Sequence, residues 1–243
     1  MSERSTSTAR DAAAGAVLVA GAAGGIGRAC VEAVEASGAA AFGVDLADGI
    51  DITAPGGVEQ ALAKATAAHG RISGVVHAVG MSGRSLGDGG VTECTDLAWS
   101  EVHRVNHESV FRLLRAAIPA MPRGGSIVVI GSALGSSIDD DFRTVAYASA
   151  KGALIPLIRS AAREAAPHGV RVNLISAGLV TTPMSRRART SEAIQARLPS
   201  LMPLGARPCL PEEVAQVVLW LLSPSSGRTT GAVIPVDGGW HLR

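Results

Sequence analysis

A glycine-rich turn near the start of the chain lies between a short apolar run and a helical pattern. The apolar run covers residues 16–20, and the helical pattern extends over residues 26–34. A strand, a glycine-rich turn and a helix in this order allow backbone N–H groups to hold a pyrophosphate at the helix start. An ordinary turn between a strand and a helix is the alternative. The predicted contacts come from Gly21, Gly24, Gly25, Ile26 and Gly27.

The same alternation of apolar runs and helical patterns continues along the chain. Further strands are predicted at residues 39–44, at Asp51 and Ile52, and at 74–80, 125–130, 169–175 and 232–236. Aromatic residues make up only 3% of the chain, so Ala, Val, Leu and Ile must form the core, which suits a parallel sheet between helices. We predict an α/β fold with a doubly wound, Rossmann-type parallel sheet of about seven strands in three layers. It forms a single domain over residues 14–243, after a disordered tail at residues 1–13.

Asp45 stands at the end of the second predicted strand, 18 residues after Gly27. A carboxylate at this position can accept hydrogen bonds from both ribose hydroxyls of an adenosine, and it would repel a 2′-phosphate. For charges about 4 Å apart, the repulsion is roughly 1 kcal/mol in water and about 4 kcal/mol near a protein surface. No lysine or arginine adjoins Asp45 in the sequence. The pattern therefore predicts NAD(H) in preference to NADP(H).

Tyr147 and Lys151 are one helical turn apart, so their side chains project from the same face of a predicted helix. A nearby ammonium group favours the phenolate and lowers the pKa of a tyrosine. Such a tyrosine can take a proton from an alcohol or give one to a ketone. A solvent-exposed tyrosine–lysine pair is the alternative. Pro156 falls later in the same helical pattern and predicts a kink, or an unbonded carbonyl group near Gly152.

Two further polar residues have more than one explanation. Ser132 follows the strand predicted at residues 125–130, at the edge where doubly wound sheets bind ligands, although in isolation a turn cap explains it better. Asn106 lies inside a helix predicted over residues 96–121, with Asp96 as its N-cap. Because asparagine is a mediocre helix former, Asn106 is either a solvent-facing residue or a buried one with a function.

Three segments near the predicted ligand edge lack a regular pattern. Residues 81–95 are glycine-rich and form a loop after the strand at 74–80. Residues 185–208 are rich in arginine and form either a mobile lid over the site or a pair of surface helices. The three aspartates at residues 139–141 have no histidine or cysteine nearby, which indicates a solvated loop and not a metal site.

Composition argues against several classes of partner. A formal net charge of +1 favours neither nucleic acid nor a membrane surface. No apolar run reaches the roughly 18 residues that a membrane span needs. The three cysteines are widely separated and indicate reduced thiols in a cytoplasmic protein. The six histidines show no metal-binding spacing, so we predict no metal site.

Together these motifs resemble the short-chain dehydrogenase/reductase family, over roughly residues 14–240. The glycine-rich motif of the family is matched by Gly21, Gly25 and Gly27, and its adenine-contacting pair by Asp51 and Ile52. Its catalytic tetrad is matched by Asn106, Ser132, Tyr147 and Lys151. His77 and Ala78 stand where the family usually has two asparagines, the first of which helps pin the central strand, and Ala177 stands where it usually has proline. His77 either replaces that asparagine in pinning the central strand or only packs.

The resemblance implies an NAD-dependent oxidoreductase in which Tyr147 is the acid/base. Lys151 would lower the pKa of Tyr147 and bind the nicotinamide ribose, and Ser132 would hydrogen-bond the substrate oxygen. Asn106 would hold a water that relays protons through Lys151. The implied NAD-binding residues are Gly21, Gly24, Gly25, Ile26, Gly27, Asp45, Asp51, Ile52, Ala78, Gly80, Tyr147, Lys151, Gly178, Val180 and Thr182.

The expected substrate is a small or medium secondary alcohol or ketone, apolar or cyclic. This expectation comes from the apolar residues around the predicted mouth, Met81, Leu134, Leu179 and Met184. A 3-oxoacyl-[acyl-carrier-protein] reductase is one alternative, disfavoured by Asp45 but left open by Arg186, Arg187 and Arg189. A catalytically silent nucleotide-binding regulatory protein is another.

The resemblance also implies assembly, because family members of this type are commonly homotetramers. We expect a homotetramer or a homodimer that packs the helices of Asn106 and Tyr147 and the C-terminal strand across twofold axes. Trp220 and Trp240 are candidate interface aromatics, although packing in the core would explain either.

Overall fold

A computed structural model describes residues 15–242, so the tail predicted at residues 1–13 lies outside the described residues. Within this range, the strands are β1 (Ala16–Ala20), β2 (Ala41–Val44), β3 (Ile72–His77), β4 (Ser126–Ile130), β5 (Arg171–Ala177) and β6 (Val233–Val236). They form one sheet in the order β2-β1-β3-β4-β5-β6, and every neighbouring pair is parallel. The predicted doubly wound parallel sheet is confirmed, with six strands in the described range and not seven.

The strand predicted at Asp51 and Ile52 is wrong, because these residues belong to a turn. Asp51 Oδ1 accepts hydrogen bonds from the Thr53 backbone N–H at 2.8 Å and from the Thr53 hydroxyl at 2.6 Å. An aspartate that binds the backbone two residues further on closes an Asx turn, which ends the extended conformation. Ile52 is nevertheless only 4% exposed, so its apolar character reflects burial in the core and not strand pairing.

Helices cover both faces of the sheet. They are α1 (Gly25–Ala36), α2 (Gly57–His69), α3 (Asp96–His103), α4 (Ser109–Ala120), α5 (Val145–Gly152), α6 (Leu154–Ala165), α7 (Arg186–Thr190), α8 (Glu192–Leu201) and α9 (Pro211–Leu222). Successive side chains of β1 enter different apolar clusters, as the period of two in a strand requires. Leu18 packs with α2, α4 and α6, whereas Val17 and Val19 pack with α1, α8 and α9. The result is three layers. No helix in the described range has the length and apolar character to cross a bilayer.

The helix predicted over residues 96–121 is interrupted in its middle. A π-helical turn, Arg104–Glu108, separates α3 from α4 and contains Asn106. The N-cap of α3 is Thr95, whose hydroxyl accepts a hydrogen bond from Ala98 N at 3.1 Å, so the prediction of Asp96 as the cap was wrong. Single π-helical turns inside helices occur frequently at functional sites.

The helix that begins near Tyr147 is also interrupted, as Pro156 predicts. The break lies at Ala153, between α5 and α6. Pro156 is therefore in the first turn of α6, where a backbone N–H has no partner inside the helix in any case. The end of α5 touches the turn after β4, because a Cβ atom on Gly152 would lie only 2.7 Å from Gly135 O. This close backbone contact fixes α5 against the end of β4.

The strand order places the ligand edge of the sheet. β1 lies between β2 and β3. After β1, the chain first adds β2 on one side of β1 and then crosses over to add β3 on the other side. In doubly wound sheets, ligands bind outside the carboxyl ends of the strands at such a switch point. Gly21 follows β1 and Ala78 follows β3, so the glycine-rich turn lies at this edge.

Candidate active site

A cavity of about 690 Å³ lies at the carboxyl edge of the sheet, within the volume range of roughly 300–1,000 Å³ typical of ligand sites. Its lining includes Ser132 and every predicted cofactor-binding residue, Gly21, Gly24, Gly25, Ile26, Gly27, Asp45, Asp51, Ile52, Ala78, Gly80, Tyr147, Lys151, Gly178, Val180 and Thr182. Asn106 is fully buried and does not reach the cavity wall. The fold therefore brings the predicted residues together around one cavity. Asn106 is buried behind the residues that line it.

The glycine-rich turn is shaped so closely that side chains would not fit. A Cβ atom on Gly27 would lie 2.0 Å from Gly21 O, and one on Gly25 would lie 2.8 Å from the Thr182 side chain. Gly21 has a φ of +85°, which favours glycine. The first turn of α1 contains no acidic residue, and Gly24 gives it no side-chain cap. Its backbone N–H groups and helix dipole therefore suit a pyrophosphate, so the turn fits a dinucleotide.

Two carboxylates line the cavity beside this turn. Asp45 Oδ2 accepts a hydrogen bond from Ala23 N at 3.1 Å, which ties the end of β2 to the glycine-rich turn. The hydroxyl of Thr53 holds the pKa of Asp51 below its usual range, so this carboxyl group is ionised at neutral pH. Both groups are positioned by the backbone near the expected adenosine, and both are available as hydrogen-bond acceptors.

Tyr147, Ser132 and Lys151 form a compact group in the cavity wall. The Ser132 side chain is near enough to the Tyr147 phenol to lower its pKa, and Lys151 Nζ lies 5.9 Å from the centre of the Tyr147 ring. Lys151 Nζ also donates to Ile130 O at 3.0 Å. Ser132 Oγ accepts a hydrogen bond from Leu134 N at 3.2 Å. Ser132 thus caps the turn after β4, which was the alternative explanation considered from the sequence. It also lies beside the Tyr147 phenol in the cavity wall.

The electrostatics of this group differ from the prediction. Burial raises the pKa of Tyr147 above its usual value, and the nearby Ser132 side chain offsets this rise only in part. Burial also lowers the pKa of Lys151 to about 8, so its ammonium group loses its proton more readily than an exposed lysine. Desolvation therefore outweighs the expected lowering of the phenol pKa by Lys151.

Asn106 is buried, which excludes the solvent-facing alternative. Its Oδ1 accepts from Met81 N at 3.1 Å, and its Nδ2 donates to Met81 O and to Val102 O, both at 3.0 Å. A Cβ atom on Gly80 would lie 2.9 Å from Asn106 Oδ1 and 3.5 Å from Lys151 Nζ. Asn106 therefore holds the start of the loop after β3. At position 80, a side chain larger than that of glycine would crowd this amide and Lys151.

His77 takes the place of the usual asparagine by a different contact. Its Nε2 lies 2.8 Å from Ser109 Oγ, and the Ser109 hydroxyl donates to Val105 O at 2.6 Å. Since the serine proton is used there, the hydroxyl accepts from His77 Nε2–H, which fixes the tautomer. Burial, reinforced by the charge of Lys151, lowers the pKa of His77 to about 3, so the ring stays neutral. His77 pins β3 to the start of α4.

Comparisons with known proteins agree with this geometry. A family model described as enoyl-(acyl carrier protein) reductase matches residues 42–241. The 3-oxoacyl-[acyl-carrier-protein] reductase FabG of Escherichia coli (strain K12) is 30% identical over 246 residues, which cover 93% of this chain and 96% of that protein. The chain belongs to the short-chain dehydrogenase/reductase family. Members of this family are oxidoreductases that use a nicotinamide cofactor.

Other short-chain dehydrogenases/reductases are similar to this chain over most of its length. An inactive 2-(S)-hydroxypropyl-CoM dehydrogenase 2 of Xanthobacter autotrophicus (strain ATCC BAA-1158 / Py2) is 35% identical over 218 residues, with 87% of this chain and 90% of that protein covered. The ligand-free aldohexose dehydrogenase of Thermoplasma acidophilum superposes with a TM-score of 0.83 at 27% identity, covering 96% of each chain. The fold is thus shared by proteins whose names give different substrates.

In this short-chain dehydrogenase/reductase, the arginine-rich segment at residues 185–208 is packed against the body of the protein. The apolar side of α8 is buried through Ile194, Leu198 and Leu201. Arg197 pairs with Asp139, at 2.8 Å, and with Asp141. The prediction of a solvated acidic loop was therefore wrong for these two aspartates, because one guanidinium group binds both to α8. The segment forms a pair of surface helices, α7 and α8, and the ion pairs of Arg197 attach α8 to the loop that contains Asp139 and Asp141.

Trp240 lies in the core of the chain and not on its surface. It is 2% exposed, and its ring meets that of Phe142 edge-on at 5.1 Å between centroids. Both rings line the cavity. Of the two tryptophans considered for an interface, only Trp220 is exposed, at 41%.

Asp88, for which the sequence analysis predicts no role, caps the helix that carries Tyr147. Its carboxylate accepts from Ala146 N at 2.9 Å and from Tyr147 N at 3.0 Å, and the residue is 5% exposed. Thr144, at the N-cap position, provides no side-chain cap. A carboxylate at this end satisfies free N–H groups and complements the helix dipole. Its partners lie 58 and 59 residues away, so no local pattern reveals the contact.

We expect Asp88→Ala to lower the free energy of unfolding by about 1–2 kcal/mol, the usual effect of losing a helix cap. Turnover should fall as well, because the first turn of α5 positions Tyr147. Urea unfolding and kcat measure the two effects. Asp140→Ala is the control, since Asp140 is an exposed aspartate. If Asp88→Ala matched Asp140→Ala in both measurements, the capping role would be wrong.

Proposed function

We propose that this protein transfers a hydride between NAD(H) and a secondary alcohol or ketone. The observation that carries the proposal is the cavity itself, whose wall brings Tyr147, Ser132 and Lys151 together with the glycine-rich turn. A phenol and a hydroxyl that meet in this way can hold the oxygen of one substrate between them. The neighbouring turn is built for a dinucleotide, so both halves of a dehydrogenase site face one space.

Each residue then has a distinct task. Tyr147 exchanges a proton with the substrate oxygen, and Ser132 orients that oxygen and stabilises its developing charge. Lys151 binds the nicotinamide ribose and carries protons to and from Tyr147. Asn106 holds the relay water for Lys151 through the second lone pair of Oδ1. The cofactor, when bound, supplies or accepts the hydride, and the protein positions the reactants.

The cavity wall supports a substrate with an apolar body of small or medium size, open-chain or cyclic. All four residues proposed for the mouth line the cavity: Met81, Leu134, Leu179 and Met184. Leu179 is buried there, whereas Met184 is 52% exposed and can adapt to different shapes. We further propose that the protein works in the cytoplasm, because its three cysteines are free thiols. A homotetramer or homodimer is the assembly we expect, with exposed Trp220 as a candidate contact.

Initial rates with a panel of substrates test the proposed function. NAD and NADP are each combined with secondary alcohols, and NADH and NADPH with ketones and an acetoacetyl thioester, while the absorbance of the reduced cofactor is followed. Turnover of alcohols or ketones with NAD(H) supports the proposal. Turnover confined to the thioester with NADPH would contradict both the substrate and the cofactor that we propose.

Two other functions are separated by the same panel. Similarity to the FabG reductases favours a 3-oxoacyl-[acyl-carrier-protein] reductase, which would act on the thioester. Similarity to a relative named inactive favours a catalytically silent nucleotide-binding protein, which would bind NADH without turning over any member of the panel. The intact group of Tyr147, Ser132 and Lys151 argues for an enzyme over a silent protein.

Asp45→Asn is expected to raise the preference for NADP over NAD. Removing the charge removes a repulsion of about 1–4 kcal/mol with a 2′-phosphate, so the ratio of kcat/KM for NADP to that for NAD should rise by about 5-fold to 10³-fold. Asp48→Asn is the matched control, because Asp48 is exposed and lies outside the cavity lining. An unchanged ratio in Asp45→Asn would show that other residues select the cofactor.

A further inference from the structure

Two arginines converge at the mouth of the cavity. Arg84 lies in the turn after β3, Arg187 lies on α7, and both line the cavity. Nη2 of each donates to the same carbonyl oxygen, that of Asp141, at 3.4 Å from Arg84 and 2.7 Å from Arg187. The pKa of Arg84 is lowered, mainly by partial burial and in addition by the charge of Arg187, and the charge of Asp88 offsets only part of this effect. The two guanidinium groups are therefore close enough to repel each other.

The carboxylates near this pair are already engaged. The side chain of Asp141 pairs with Arg197, and that of Asp88 accepts hydrogen bonds from the start of α5. Over residues 15–242, neither Arg84 nor Arg187 forms an ion pair. Each guanidinium group has five N–H donors, so most donors of the pair remain available. Asp88 attracts Arg84 from a distance, but no carboxylate forms an ion pair with either arginine, so the pair presents positive charge to the cavity.

The position of Arg187 is supported by an aromatic ring. Its guanidinium carbon lies 5.8 Å from the centre of the Phe142 ring, and Phe142 in turn packs on buried Trp240. A guanidinium group stacked in this way keeps its planar edge free for a ligand. The same ring is part of the cavity lining, so an apolar surface continues from the arginine pair into the cavity.

We propose that Arg84 and Arg187 form a subsite for an anionic group of the substrate, most simply a carboxylate. The inference rests on the proposed function and names its substrate class: an oxo or hydroxy acid with an apolar body. The acid group would lie between the two guanidinium groups and remove their repulsion. The reacting carbon would then lie at Tyr147 and Ser132, further inside the same cavity.

Matched acids and esters test the subsite. The probes are linear methyl ketones that end in a carboxylate, in several chain lengths, each compared with its methyl ester in the presence of NADH. We expect kcat/KM for the best acid to exceed that for its ester by about tenfold or more, because only the acid can pair with both arginines. Rising salt should reduce this preference, since both arginines are exposed. A phosphonate and a sulfonate of the best length show whether other anions are accepted.

Arginine variants assign the preference to these residues. Arg84→Met and Arg187→Met should each reduce the preference for the acid, whereas kcat/KM for the ester and the dissociation constant of NADH stay unchanged. Arg187→Lys keeps the positive charge and should therefore retain part of the preference for the acid. Arg186→Met is the matched control, because Arg186 is exposed on the same helix and does not line the cavity. Calorimetric titration of the acids into the NADH complex gives a second readout that does not depend on turnover.

Each other outcome would overturn the subsite. Equal kcat/KM for acids and esters would rule out the subsite but leave the proposed function intact. A preference for acids that survives in both arginine variants would also rule out the subsite. Weaker NADH binding in these variants would assign the pair to the cofactor. A loss confined to acyl-carrier-protein thioesters would assign it to a protein partner. If no ketone is turned over, the proposed function fails, and calorimetry alone decides whether Arg84 and Arg187 bind a carboxylate.

Discussion

Tyr147→Phe is expected to lower kcat by about 10²–10⁴-fold, the usual contribution of a positioned acid/base group. The substitution removes only the hydroxyl, which is the group that we propose exchanges a proton with the substrate. The ring itself packs on Val102, Ala146 and Ala150, so the folded structure should be retained. Steady-state rates and the dissociation constant of NADH are the measurements, and we expect the second to stay close to that of the wild type.

The ionisation of Tyr147 can be followed directly, because it is the single tyrosine of the chain. Ultraviolet absorbance of the phenolate during a pH titration therefore reports on this residue alone. Without cofactor, the midpoint should lie above about 10, since burial raises the pKa of the phenol. A midpoint well below 10 would show that Lys151 outweighs burial. Turnover of Tyr147→Phe at the wild-type rate would remove Tyr147 from the mechanism.

Lys151→Met is expected to lower turnover by about 10²-fold and, at the same time, to stabilise the folded protein at neutral pH. Lys151 is 5% exposed and, over residues 15–242, forms no ion pair with a carboxylate. Burial lowers its pKa from 10.5 to about 8, which corresponds to about 3 kcal/mol in favour of the neutral amine. A methionine of similar length avoids the burial of a charge. The role proposed for Lys151 thus comes at a cost in stability.

The pH dependence gives this prediction a definite sign. Between about pH 8 and 10.5, the unfolded chain binds a proton at Lys151 that the folded chain does not, so wild-type stability gains a contribution that rises with pH. Below that window both states hold the proton, and the destabilisation by the buried charge is complete. The advantage of Lys151→Met in urea unfolding should therefore be largest near pH 7 and shrink toward pH 10.

The chain offers a matched control for this experiment. Lys64 is its only other lysine and is exposed on α2, so Lys64→Met should change neither turnover nor the pH dependence of stability. If Lys151→Met were no more stable than the wild type near pH 7, the prediction that the buried Lys151 ammonium group destabilises the folded protein would be wrong.

Local patterns in the sequence were sufficient for the parts of the site that local structure creates. The glycine-rich turn requires Gly21 and Gly27 because their backbones touch, and that requirement is visible in seven consecutive residues. Tyr147 and Lys151 share a helix face because helical period alone puts them there. The carboxyl edge of a parallel sheet collects the residues that follow its strands, which brings Ser132 to the same place.

The errors arose where a side chain far away, or one unexpected hydrogen bond, decided the structure. Thr53 turns the chain at Asp51 and removes a predicted strand, although burial leaves the same apolar pattern. Arg197 pairs with both Asp139 and Asp141 across more than fifty residues, so a loop that looked solvated is tied to α8. Local spacing carries no information about such contacts.

The pKa of Tyr147 shows the same limit in energetic terms. Spacing indicates that Lys151 lies near the phenol, but it does not give the desolvation of either group. In the folded chain, burial acts on both residues, raising the pKa of Tyr147 and lowering that of Lys151. The depth of burial depends on the packing of the whole domain, so the balance could be found only from the structure.

Deuterium transfer tests the central claim most directly. A ketone accepted in the substrate panel is incubated with reduced nicotinamide cofactor in which both hydrogens of the transferring carbon are replaced by deuterium, and the alcohol product is analysed by mass spectrometry. We predict an alcohol that has gained deuterium at the carbinol carbon in the presence of the wild-type protein, and far less product with Tyr147→Phe. Product without deuterium, or equal transfer by the two proteins, would contradict hydride transfer assisted by Tyr147.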